Sequence, residues 1–223
     1  MGALNASAYI SLAVQFITGA IETDGLFINI KKEDLILRDI LTIELFVQTI
    51  EFIFYLYLIS LIIKNALHKD VTSHRYMDWS LTTPTMLISF LLFFKYLQNP
   101  NRGIRLSESV VEEKTNIIKI VLANAAMLFF GFMAERGFIN TTLGVTIGFI
   151  PFFYMFYVLY TEYAKFNELA KKIFSLSFGV WGLYGVAAFL PFNSKNIMYN
   201  ILDLFAKNAY GLFLYFFIRS KQT

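Results

Sequence analysis

Asn196-Ile197-Met198-Tyr199-Asn200-Ile201-Leu202-Asp203-Leu204-Phe205-Ala206-Lys207-Asn208 opens the last apolar stretch of the chain, which runs on to residue 218. Its reading decides the fold. Lys207 stands in the middle of a hydrophobic run, and a free ammonium near a bilayer centre costs ~3 kcal/mol on insertion scales. Such a lysine is paired, solvated in a cavity, or chemically changed. Asp203 lies four residues earlier, one helical turn back on the same face, where it can partner the lysine. Asn196, Asn200, Asp203 and Lys207 fall at i, i+4, i+7 and i+11 and form one continuous polar face.

The composition agrees with a bilayer setting. Of 223 residues, 57% are hydrophobic, 18% aromatic and 16% charged, with a mean hydropathy of +0.57. A soluble domain carries about 25% charge. Seven runs have the roughly 20 mostly apolar residues that a span needs, at 3–21, 40–63, 75–97, 117–133, 141–163, 173–192 and 196–218. Their length, and the lack of strict alternation, predict helices rather than barrel strands. The expected architecture is an all-α integral membrane bundle of seven helices, one domain over residues 1–223.

Connections after spans one, three, five and seven hold Lys31, Lys32, Arg38, Lys95, Arg102, Arg105, Lys114, Lys165, Lys171, Lys172, Arg219 and Lys221. The opposite connections hold Lys64, Lys69, Arg136 and Lys195. The positive-inside bias sets the N-terminus outside and the C-terminus in the cytoplasm. Short connections leave no extramembrane domain for enzymatic chemistry. Cysteine is absent, which excludes disulfides and thiolate metal sites, and His68 and His74 are too few for a histidine-rich one. A net charge of +3 is too small to indicate nucleic acid.

Two further spans carry polar stripes. In the first, Ser11, Gln15 and Thr18 share a face, suited either to inter-helix hydrogen bonding or to lining a water path. In the second, Glu44, Gln48 and Glu51 fall at i, i+4 and i+7. Two carboxylates inside one span are rare without a reason; they are either protonated and bonded to a neighbour, or they line a cation-attracting path.

The third span opens Arg75-Tyr76-Met77-Asp78-Trp79-Ser80-Leu81-Thr82-Thr83-Pro84. With the lysine of the last span, this stretch resembles the signature of the microbial rhodopsins. The resemblance implies all-trans retinal carried on Lys207 as a protonated Schiff base. Asp78 and Asp203 are then its counterions, Arg75 balances their charge, and Trp79 forms a flat wall beside the polyene. Thr82 and Thr83 bond Asp78 or a backbone carbonyl. Met86, Met127, Gly131 and Phe152 line the pocket, with glycine leaving room for the ring. Trp181 and Tyr184 match the family's Trp-x-x-Tyr-Pro, although Gly185 replaces the proline and Ala188 stands where many members have a second tryptophan.

Function turns on one further position. Outward proton pumps of the family usually have a carboxylate eleven residues after the counterion, and here that residue is Ser89. Channelrhodopsins carry heptad-like glutamates on the second helix and conduct between helices one, two, three and seven. The resemblance to them, and to the compact viral branch, implies a light-gated cation channel. Its path would be lined by Ser11, Gln15, Glu44, Gln48, Glu51, Ser89, Asn196, Asn200 and Asn208, with Asn208 reaching helix two or three. The alternatives are an outward proton pump with Asp78 as acceptor, and a sensory photoreceptor. Expected partners are the lipid bilayer, retinal and monovalent cations or protons, with homo-oligomers left open. The membrane would be that of a host cell or virus.

Overall fold

The computed structural model describes residues 2–67 and 71–223; His68 and Lys69 lie outside them. Among the described residues there are seven long helices: α1 Ala3–Gly25, α2 Leu35–Ile63, α3 Val71–Gln98, α4 Leu106–Glu135, α5 Thr141–Glu162, α6 Glu168–Ala187 and α7 Phe192–Arg219. They form a closed ring. Each helix packs on the next, and α1 returns against α7. The second and seventh helices also touch, so the polar stripes of α1, α2 and α7 meet inside.

Apolar side chains face outward as well as filling the core. Phe16, Ile53, Phe129 and Phe153 project outward, as a lipid-facing surface requires, while Arg75, Glu51, Asn200 and Lys207 are enclosed. Backbone groups are satisfied within each helix, the condition for crossing a bilayer.

Several boundaries differ from the sequence expectation, each for a local reason. The fourth helix starts at Leu106 rather than at 117. Its extra turns are charged, and Glu112 and Glu113 pair with Lys95 at 2.6 and 2.7 Å. Asn167 caps α6, its Oδ1 accepting from the Leu169 and Ala170 N–H groups at 2.9 and 3.2 Å. That helix stops at Ala187, and Phe192 begins α7 directly after Pro191. Six of the seven helices are long and apolar enough to span by composition alone, α6 being the exception; Glu168, Lys171 and Lys172 crowd its start.

Helices α4 and α5 pack closely. A Cβ on Gly144 would stand 2.9 Å from the Phe130 carbonyl oxygen, so only glycine allows this approach. One end of the bundle gathers the loops holding Lys31, Arg102, Arg105 and Lys165 together with the C-terminus, where the Thr223 N–H donates to the Asn29 carbonyl at 3.1 Å. Lys195 lies at the other end, paired with Glu135 at 2.8 Å.

Candidate retinal site and the polar column beside it

The lysine stands where the last helix changes pitch. Within α7, Leu204–Asn208 forms a turn of π-helix, in which the Ala209 N–H reaches back to the Leu204 carbonyl. Such a bulge shifts side-chain directions by one residue's worth of rotation and often marks a functional site. It sends Lys207 inward, 4% exposed.

Three carboxylates surround the Lys207 Nζ. Asp78 Oδ2 accepts at 2.9 Å, Glu51 Oε1 stands at 3.2 Å and Asp203 Oδ1 at 3.8 Å. The sequence reading assigned Glu51 to a path; the structure brings it to the lysine itself. A second cation offsets the excess. Arg75 Nη1 bonds Asp203 Oδ2 at 3.2 Å, and its remaining donors reach Asn196 at 3.1 Å and Asn200. Asp203 also accepts from the hydroxyls of Tyr55 at 2.8 Å and Tyr184 at 2.7 Å. A buried carboxylate and guanidinium with this many donors and acceptors satisfied form a rigid unit.

From Lys207 a cavity runs between α3, α4, α5 and α6. Trp79, Met86, Met127, Phe152, Trp181 and Tyr184 are among its walls, and Thr83, Gly131, Gly185 and Ala188 also line it. Aromatic rings close on one another around it, Trp79 edge-on to Tyr184 at 5.5 Å and Phe156 to Trp181 at 5.8 Å. Arg75, Asp78, Thr82 and Asp203 sit off this cavity, on the far side of the lysine nitrogen. Thr82 and Thr83 each donate back to a carbonyl one turn earlier, of Asp78 at 3.0 Å and Trp79 at 2.7 Å. Thr83 also pairs with Asn124 of α4, a partner with no signal in the sequence pattern. A Cβ on Gly131 would meet the Tyr76 hydroxyl at 2.8 Å, and one on Gly185 the Phe149 ring at 2.6 Å. Both glycines therefore make room for an aromatic neighbour as well as for the cavity.

The other predicted residues form a column through α1, α2 and α7. Asn196 bonds Thr72 at 3.1 Å. Asn200 meets Ser7, Ser11 and Tyr55. Beyond Lys207, Asn208 donates to Gln15 at 2.9 Å and Gln48 at 3.2 Å, and Gln48 donates to both the carbonyl and the side chain of Gln15. Asn208 thus reaches helices one and two; no bond from it to helix three is seen. Further along come Glu44 and Ser89, whose hydroxyl bonds that of Tyr210 at 3.3 Å. The column ends at Glu22, a buried carboxylate just past the expected end of the first span. No group of three metal-ligating side chains occurs among the described residues.

A seven-helix membrane bundle with, among the described residues, one buried lysine, its carboxylates, and an aromatic cavity leading away from the amine defines a class of light-absorbing membrane proteins. The family model described as bacteriorhodopsin-like protein matches residues 6–221, and the chain belongs to that family, as a multi-pass microbial rhodopsin. It is 24% identical over 237 residues to a green-light absorbing proteorhodopsin from Gamma-proteobacterium EBAC31A08, covering 96% of this chain and 88% of the relative. Its structure is similar to that of the viral rhodopsin OLPVRII, with 27% identity, a TM-score of 0.87 and 100% of both chains covered. Xanthorhodopsin shares the fold, with 19% identity, a TM-score of 0.77 and 98% and 93% covered. Retinal is the chromophore of this family, and the residues present fit it. The cavity is lined mostly by apolar and aromatic side chains and ends on the Lys207 amine, and two buried polar atoms, Trp181 Nε1 on its wall and Asp78 Oδ1 beside the lysine, have no hydrogen-bond partner among the described residues.

Proposed function

We propose that this protein is a light-gated cation channel, acting as one seven-helix retinal-binding domain. The observation that carries the reading is the set of buried polar side chains on the inner faces of α1, α2 and α7, from Asn196 past Lys207 to Gln15, Gln48 and Asn208 and on to Glu44 and Glu22. Lys207 is the attachment point, Asp78 the principal counterion, Asp203 with Arg75 the second charged pair, and Trp79, Met86, Phe152, Trp181 and Tyr184 the pocket walls. Retinal bound there supplies visible-light absorption and a light-driven change of shape at the lysine.

The chain's own residues do the rest. Asp78 Oδ2, 2.9 Å from Nζ, is positioned to accept a proton from that nitrogen. Once the nitrogen loses its charge, Glu51 and Asp203 lose their shared cation, and the asparagines and glutamines bonded around them can re-pair. The amide cluster of Gln15, Gln48 and Asn208, hydrogen-bonded across α1, α2 and α7, acts as the closed gate. Glu44 and Glu51 favour cations over anions in the path. The end rich in Lys31, Lys95, Arg102, Lys171 and Arg219 faces the cytoplasm.

The second reading is an outward proton pump with Asp78 as acceptor, favoured by the close Lys207–Asp78 contact; among the similar proteins, xanthorhodopsin is described as a light-driven ion pump. With Ser89 in place of a carboxylate, a pump would reprotonate from water or from Glu44. Voltage-clamp recording in retinal-supplied cells under green light separates the two. A channel gives a current that reverses near a cation equilibrium potential and shrinks when sodium or potassium is replaced by a large impermeant cation. An outward current of constant sign at all voltages would replace the channel reading with the pump.

A further inference from the structure

The first and last helices meet at a point that the retinal site does not use. Glu22 of α1 is 1% exposed, and its carboxylate lies directly over Gly211 of α7. A Cβ there would stand 2.7 Å from the Glu22 carboxyl carbon. Gly211 sits in a regular helix, where glycine costs up to about 1 kcal/mol relative to alanine. The helix carries a glycine at the one place where a side chain would evict the carboxylate.

Antiparallel register brings a second carboxylate to the same junction. On α1, Gly19 faces Gln48 of α2, and Gly25 faces Leu41, so Glu22 falls opposite Glu44. Glu44, 2% exposed, lies beside Ser89, whose hydroxyl bonds that of Tyr210, the neighbour of Gly211. Glu22 Oε2 and Glu44 Oε1 are both buried without a hydrogen-bond partner. Among the described residues no cation forms an ion pair with either carboxylate, although the Arg38 Nε is itself buried without a partner. Arg38 donates to the Ile28 carbonyl at 2.5 Å, and Arg219 to the Tyr215 hydroxyl at 2.8 Å, which in turn bonds Asp24 at 3.0 Å.

Two buried carboxylates, each with an open acceptor and no ion-pair partner among the described residues, cannot both stay bare anions; neutralising the pair takes a proton on one and a cation or second proton on the other. We propose that Glu22 and Glu44, enclosed by α1, α2 and α7 and seated by Gly211, form a site for one monovalent cation or proton at the basic end of the polar column. This rests on the column proposed above as the path, and makes Glu22 the residue through which charge enters or leaves it at that end.

The test uses the full chain with retinal, as parent, Glu22→Gln, Gly211→Ala and the double variant. Visible absorption is recorded first; it stays at the parental maximum, because the carboxylates around the Lys207 amine are Asp78, Glu51 and Asp203 and not Glu22. Light-evoked current is then measured while potassium on the basic side is replaced by N-methylglucamine at fixed pH, and while pH on that side is stepped at fixed potassium. Each single substitution weakens the dependence by about 3-fold or more, the lower range of coupling between touching residues, and the double variant is no weaker than either single. Sensitivity to potassium identifies an alkali cation, and sensitivity to pH a proton. Insensitivity to both, or parental behaviour of Glu22→Gln, overturns the site.

Light-minus-dark infrared spectra keep this separate from the channel reading. Even where no passive current flows, a carboxyl band that disappears in Glu22→Gln and shifts in Gly211→Ala supports the site. An unchanged carboxyl region in both variants overturns it.

Discussion

At the scale of single residues, distance ranks the carboxylates around Lys207. Asp78 at 2.9 Å is closer than Glu51 at 3.2 Å and Asp203 at 3.8 Å, and attraction between charges falls with separation. Lys207→Ala abolishes visible absorption while the bundle still folds, read from the spectrum of purified protein supplied with retinal. Asp78→Asn shifts the absorption maximum to the red, because the cation on Lys207 loses its nearest stabilising charge. A maximum that stays put would transfer the main counterion role to Asp203. Asp203→Asn acts differently. It leaves Arg75 buried against neutral groups and takes a strong acceptor from Tyr55 and Tyr184, so its cost falls on folding, about 3–5 kcal/mol. Thermal bleaching at a markedly lower temperature than in Asp78→Asn is the expected result; equal melting would show that the Arg75 pair adds nothing to stability.

At the scale of helices, the α4–α5 pair tests the packing. Gly144→Val forces a branched side chain against Ala134 and the Phe130 carbonyl, and overpacking of this kind costs about 1–3 kcal/mol. The pigment then melts earlier with its colour little changed, measured by heating while following visible absorption. The same scale separates what was legible in the sequence from what was not. Lys207, Asp203 and the Arg75–Asp78–Trp79 run could be read because charges and amides inside apolar runs are costly enough to require a reason. The stripe Glu44, Gln48 and Glu51 gave the inward face of α2. Periodicity on one helix carries no information about which partner stands opposite, so Glu51 was assigned to the path and not to the lysine. The π-turn at Leu204–Asn208 is a hydrogen-bonding pattern with no residue signature. Glu22 carries no sequence signal because hydropathy ends the first span at residue 21, whereas packing against Gly211 keeps the helix buried for another turn. Tyr55, Tyr199 and Asn124 were hidden among 38 Phe and Tyr residues and the ordinary amides, and only three-dimensional neighbours distinguish them.

At the scale of the whole molecule, one feature separates a passive path from a pump: whether the column on the two sides of Lys207 can open at once. On the Asn196 side it is held by Arg75, Asn200 and Tyr55, a charged network that cannot part cheaply. Toward Glu22 the layer next to the lysine is held by neutral amides, Gln15 to Asn208 at 3.0 Å and Asn208 to Gln48 at 3.2 Å. Net bonds of that kind contribute about 0.5–1.5 kcal/mol each, so this side yields first. Removing Gln48 takes away the bonds to Gln15 and Asn208 together and leaves a hole beside Glu44. In a channel, Gln48→Ala therefore gives a larger light-evoked current that decays more slowly in the dark, with its reversal potential still set by the cation gradient. In a pump, the same opening lets protons return by the route they came, and the outward current falls at voltages that oppose it. Current–voltage curves of parent and variant, scaled to the amount of pigment, distinguish these outcomes. A variant indistinguishable from the parent in amplitude, decay and reversal would remove the amide cluster as a gate, leaving the Arg75 network as the barrier that light must move.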